Sequence, residues 1–136
     1  MLLMKNYVYV LFFVLMSACS TTVSNIDGSI WFSEEKHDFG AIPFKKEASY
    51  SFGFSNIGKS PLIIQNVKTG CGCTVPEWTK KPIRPGEKGQ LKIKYNASFP
   101  GKFNKRVEVF YNGPNSPAQV EIQGEVQYPK ERDWSN

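Results

Sequence analysis

The chemistry in this sequence is concentrated at Cys71-Gly72-Cys73-Thr74. In an extended strand, residues i and i+2 share one side, so the two Cα atoms would lie about 6.6 Å apart, at the far edge of disulfide reach. Gly72 can bend the chain and bring them closer. Three uses of the pair are open. The first is packing, as small buried thiols or as a local disulfide that shapes a strand end. The second is thiol–disulfide exchange, which needs an exposed thiol of lowered pKa, with Lys68, Lys80 or Lys81 as sources of positive charge. The third is a soft-metal site for copper(I) or zinc, which two thiolates suit. A tetrahedral site wants four ligands, and beyond the two cysteines the chain offers His37 and carboxylates. Met1, Met4 and Met16 are its only methionines, so a Cys-Met copper site is excluded once the N-terminal segment is removed.

The remaining candidates are weaker. His37 is the one histidine and lies beside Glu34, Glu35 and Asp38. It reads as an exposed strand-edge residue, with no nucleophile that the sequence can pair with it. No catalytic residue is assigned. Trp78 precedes Thr79-Lys80-Lys81-Pro82. In an exposed loop, Trp78, Lys80 and Lys81 would suit a protein or glycan partner, and as a buried anchor Trp78 would only pack the loop. The net charge of +5 is spread along the chain, which suits an anionic envelope surface better than nucleic acid.

The N-terminus speaks to location. Lys5, an apolar run from Tyr7 to Met16, and then Ser17-Ala18-Cys19 have the layout of a secretory signal, too short for a spanning helix. Leu15-Met16-Ser17-Ala18-Cys19 resembles the bacterial lipobox, with Met16 where Leu is usual. The expectation is a lipoprotein signal over 1–18, then lipidated Cys19 opening a polar tether over 19–29 that has little to bury. The protein is then lipid-anchored in the bacterial cell envelope, on the outer membrane facing the periplasm, where Cys71 and Cys73 meet oxidising conditions.

These groups need elements to hold them. At 136 residues the length predicts one domain, and no helical period recurs. Short alternating runs do. Ile30–Phe32 with Lys36–Ile42 reads as a first strand broken by Ser33-Glu34-Glu35, and Ala48–Asn56 puts Tyr50, Phe52 and Phe54 on one face. Leu62–Lys68, Cys71–Val75, Leu91–Tyr95, Phe103–Tyr111 and Val120–Val126 follow. Asn56 to Pro61 is turn chemistry, and Pro85-Gly86 suits a type II turn. Turn signals every 8–12 residues predict an all-β, Ig-like, seven-stranded antiparallel sandwich over 30–127, with a charged tail over 128–136.

Several runs together resemble a known family. They are His37-Asp38-Phe39-Gly40-Ala41-Ile42, Phe52 to Leu62, Cys71-Gly72-Cys73-Thr74, Ile83 to Gly89, Tyr95-Asn96, Gly101-Lys102-Phe103 and Ile122 to Val126. The set is similar to the bacterial domain of unknown function 1573, an Ig-like domain related to the ASH and major-sperm-protein group and found on Bacteroidetes lipoproteins. The resemblance covers Trp31 to Val126. It implies the seven-stranded Ig-like sandwich and no established activity. The expected function is a membrane-tethered binding or scaffold module for an envelope protein or a glycan. The alternative is a redox or soft-metal lipoprotein working through Cys71 and Cys73.

Overall fold

The computed structural model describes residues 28–128. The expected signal segment, Cys19, the tether up to residue 27 and the tail from residue 129 lie outside them. Eight strands follow in order: β1 (Ile30–Phe32), β2 (Lys36–Ile42), β3 (Ala48–Asn56), β4 (Ile64–Thr69), β5 (Thr74–Trp78), β6 (Lys88–Tyr95), β7 (Gly101–Tyr111) and β8 (Ala118–Val126). They form two four-stranded sheets, a first of order β1-β3-β6-β5 and a second of order β2-β8-β7-β4.

The count is eight rather than seven because Ser33-Glu34-Glu35 does more than interrupt a strand. The amide and hydroxyl of Ser33 both donate to the Gly53 carbonyl, at 3.1 and 3.0 Å, and close the end of β1. The chain then changes sheets. β2 joins the second sheet parallel to β8, while every other strand pair is antiparallel.

Alternation puts Phe52 and Phe54, Leu91 and Ile93, Val107 and Val109, and Val120 and Ile122 on the two inner faces, where all are buried. Truncating either Phe to Ala removes about 3–5 kcal/mol of transfer and cavity energy. Leu62 and Ile83 lie outside the regular strands and close one end of the core, exchanging backbone bonds of 2.8 and 2.9 Å. Asn56, fully buried, donates to the carbonyls of Ser60 and Ile83 and accepts from the Gly58 amide at 2.9 Å. A buried amide is tolerated because both its ends are bonded. The Pro85-Gly86 turn forms as expected, with Gly86 at φ 80° and the Glu87 amide donating to the Arg84 carbonyl.

Two places set the edges. In β2 the register to β8 shifts between Asp38 and Ala41. Gly40 takes φ 63° there, and its amide donates to Asp38 Oδ1 at 2.7 Å. A bulge at a left-handed position wants glycine. At the start of the domain, Gly28 is buried against Leu62, Asn112 and Gly113, with no room for a side chain.

Candidate functional site

The cysteines do not sit in a strand. β5 begins at Thr74, and Cys71-Gly72-Cys73 form the turn that carries the chain from the second sheet to the first. The Thr69 hydroxyl folds this turn, lying 3.1 Å from the Cys71 carbonyl and 3.2 Å from that of Thr74. The Asn96 amide holds the Cys73 carbonyl at 2.8 Å. The Cα atoms come within 5.3 Å, against the longer spacing of an extended chain, and the sulfurs are joined. Buried Thr74 places its hydroxyl 3.6 Å from Cys71 Sγ and 3.9 Å from Cys73 Sγ. Of the expected cations, Lys68 lies over the Phe110 ring and Lys80 over the Trp78 ring. A disulfide presents no thiolate to copper(I) or zinc, and among the described residues no three His, Cys, Asp or Glu side chains gather as metal ligands would.

His37 lies on β2, an edge strand of the second sheet, but is half-buried instead of exposed. Its ring stacks on Tyr50, with centroids 3.5 Å apart and planes 6° from parallel, and meets the edge of Phe39. Its Nδ1 lies 3.9 Å from Glu34, whose other oxygen accepts the Tyr50 hydroxyl at 2.5 Å. The bond to Glu34 holds the Tyr50 proton and raises its pKa. This cluster closes the open side of the sandwich between β2 and β3. Nothing in the sequence signals it, because a stacked pair needs the two sheets to be packed first.

Trp78 ends β5 opposite Leu91 and packs on the core, with the Lys80 ammonium 3.1 Å from its ring centroid. Its indole nitrogen is buried without a partner. It anchors the loop rather than standing out from it. Lys81 is exposed and lines a groove of about 480 Å³ that neither Trp78 nor Lys80 reaches. The other walls are Trp31 from β1, Gly53 and Ser55 from β3, and Lys88 and Gln90 from β6. Trp31, missed by sequence reasoning, is 54% exposed. Its signal is its place between Ile30 and Phe32, which alternation turns outward.

The outer face of the first sheet continues this groove. Register sets Ser49 opposite Lys94, Ser51 opposite Lys92, Gly53 opposite Gln90 and Ser55 opposite Lys88. Glu77 binds Lys94, which lowers the pKa of Glu77 and raises that of Lys94. The outer face of the second sheet holds a groove of about 650 Å³ bordered by Asp38, Lys102, Asn104, Gln123 and Glu125. Its polar groups bond to one another. Gln123 donates to Asp38 at 2.7 Å, Asn104 donates to Glu121 at 2.6 Å, and Lys36 pairs with Glu121 at 2.9 Å. The Gln123 bond, then the Gly40 amide, lowers the Asp38 pKa, and Lys36, then Asn104, lowers that of Glu121.

Comparison with known proteins places this geometry. The family model described as Protein of unknown function (DUF1573) matches residues 30–126. No curated protein matches the sequence. A protein of unknown function from Porphyromonas gingivalis W83 superimposes with a TM-score of 0.67 at 16% identity, over 77% of this chain and 50% of that one. The chain thus spans about half the length of that protein. The ASH / PapD-like domain 7 of human CEP192 superimposes with a TM-score of 0.65 at 5% identity, over 77% of this chain and 89% of that one. The VesB protease of Vibrio cholerae gives 0.60 at 16% identity, over 74% of this chain and 32% of that one. At these identities the likeness is one of fold.

Proposed function

The chain belongs to the DUF1573 family, with an Ig-like, ASH-type β-sandwich, and from that premise we propose that it is a membrane-tethered binding module of the bacterial cell envelope. A lipid on Cys19 would hold it to the outer membrane, facing the periplasm. Residues 19–29 would serve as tether, 30–127 as the binding domain and 128–136 as a charged tail. The partner would be an envelope protein or a glycan, not nucleic acid.

One observation carries the choice of binding over catalysis. The groups best suited to covalent or acid–base chemistry are already engaged with each other. Cys71 and Cys73 are joined, and His37 is stacked on Tyr50 beside Glu34. What the domain leaves available is surface. The redox alternative retains one supporting observation, that the disulfide lies in a part-exposed turn instead of the core. For the metal alternative the donors do not fit, because two disulfide sulfurs with no third ligand gathered among the described residues make a poor soft-metal site.

The test is intact mass after fractionation of cells making the full chain, with thiols alkylated before and after unfolding and again after reduction. The expected species begins at Cys19, carries a diacylglyceryl group and sits in the membrane fraction. Cys19→Ala leaves it unlipidated. A soluble wild-type protein without lipid refutes the tether.

A further inference from the structure

We propose that the outer face of the first sheet binds an anionic polysaccharide, seated in the groove between Trp31, Lys81, Lys88 and Gln90 and running along β6 over Lys92. The proposal rests on the binding-module reading and names the ligand class for it. Alternation turns Lys88, Gln90, Lys92 and Lys94 to one side of β6, with successive side chains of that side about 6.6–6.8 Å apart along the strand. Their cross-strand neighbours are Ser55, Gly53, Ser51 and Ser49, which are short and leave the lysine stems uncovered. The outward strand residues of this sheet include a single carboxylate, Glu77, which lies opposite Lys92 and pairs with Lys94. Lys81, Lys88 and Lys92 form no ion pair among the described residues. Cations that outnumber the one carboxylate of the face, set in extended register, are complementary to a linear polyanion.

The floor of the groove decides between polymers. Gly53 and Ser55 make it small-sided and hydroxyl-bearing, Gln90 lines it, and Trp31 stands at its edge as an exposed ring. A flat aromatic ring beside amide and hydroxyl donors is suited to the face and hydroxyls of a pyranose. Protein interfaces are depleted in Lys and Ser at their centres and want an apolar core, which this face lacks. The polysaccharide is therefore favoured over an acidic protein.

The experiment uses the full chain, made with its N-terminal segment intact and purified from whichever fraction it occupies. The fraction reports on the tether and retention reports on the groove, so the two can fail separately. Immobilised polygalacturonate is titrated, with dextran as the uncharged control, at about 0.01 M and about 0.15 M sodium chloride, over which the screening length falls from about 30 to about 8 Å. The expected result is retention on polygalacturonate and not on dextran, weakening with salt. Lys88→Gln with Lys92→Gln should weaken it about tenfold, the effect of removing two exposed ion pairs at once, and Trp31→Ala about fivefold. Lys102→Gln, on the opposite face, should leave it unchanged. No retention at the lower salt overturns the proposal. So does equal loss on Lys102→Gln, or association with phosphatidylglycerol vesicles that Lys88→Gln with Lys92→Gln weakens more than it weakens retention on the polymer.

Discussion

The two outer faces of this sandwich are built from the same kinds of strand and differ in how their charge is balanced. On the second sheet, cross-strand register sets Lys102 opposite Glu125, Arg106 opposite Glu121 and Lys68 opposite Glu108. Charges opposite one another across an antiparallel pair attract, and long polar side chains reach their diagonal neighbours as well. The face closes on itself through Glu121 and Asp38. On the first sheet, the lysines of β6 stand opposite serines of β3, and on the β5 side the one carboxylate is Glu77, opposite Lys92 and paired with Lys94. Lys88 and Lys92 form no ion pair among the described residues. The difference lies in composition as well as register: the strands of the second sheet carry Asp38, Glu108, Glu121 and Glu125, those of the first only Glu77. The balance of charge on a polar face follows from which residues its strands carry and where register sets them.

The harshest way to break the comparison is to damage one face and watch the other. A side chain at Gly124 would meet the Gly40 carbonyl and the Phe103 ring, both at 2.9 Å from its Cβ. Gly124→Val should destabilise the domain by about 2–3 kcal/mol in urea unfolding, because the facing atom is backbone. Next comes the turn between the sheets. Replacing Cys71 and Cys73 together by Ser removes a very small closed loop, so the loss should be at most about 2 kcal/mol by chain entropy. Polygalacturonate retention should be untouched, since Thr74 pairs at the Tyr95 end of β6 and the groove lies at the Lys88 end. Loss of retention on reduction of the wild type would favour the redox alternative.

Acid should separate the faces. Asp38 and Glu121 are held below their ordinary values of 3.8 and 4.5. A carboxylate so depressed adds stability that is complete above its unfolded pKa and is lost as pH falls through its lower folded pKa. Stability should therefore decline below about pH 4.5. Asp38→Asn with Glu121→Gln should flatten that decline more than Glu77→Gln, measured as unfolding midpoint against pH. The smallest effect sharpens the contrast. Lys88→Gln with Lys92→Gln should change stability by no more than about 0.5 kcal/mol, a null result in thermal unfolding. Glu121→Gln, which loses both Lys36 and Asn104, should lower the midpoint.

Period-two alternation is enough to find β3, whose limits Ala48 and Asn56 are legible in full, and the turn at Pro85-Gly86 announces itself by residue type. The break at Ser33-Glu34-Glu35 is visible, but its consequence is not. That β1 and β2 enter different sheets, one of them parallel, depends on partners far along the chain. The Cys pair is legible as chemistry and misplaced as structure. Alternation suggests an extended spacing there, while the Thr69 hydroxyl folds the segment into a turn. Trp78 looks like a loop residue because Pro and Lys surround it, yet the strand runs through Pro76 at the sheet edge, where a missing amide costs no pairing. Trp31 and the β6 lysines read from sequence only as strand residues. Facing outward is readable, and facing a serine is not.

Gly28, wedged against Leu62, Asn112 and Gly113, determines how the domain takes mechanical load. A pull through the residues before it meets that wedge and then the three paired residues of β1, which peel from β3 in few steps. Once they are free, Gly28 to Glu35 reach at most about 27 Å, at about 3.4 Å each, before β2 and the second sheet feel tension. β1 would thus yield first, and because it carries Phe32 into the core against Phe54, its release would open that edge of the core. Because it carries Trp31, tension along the chain would also strip the groove of its aromatic wall.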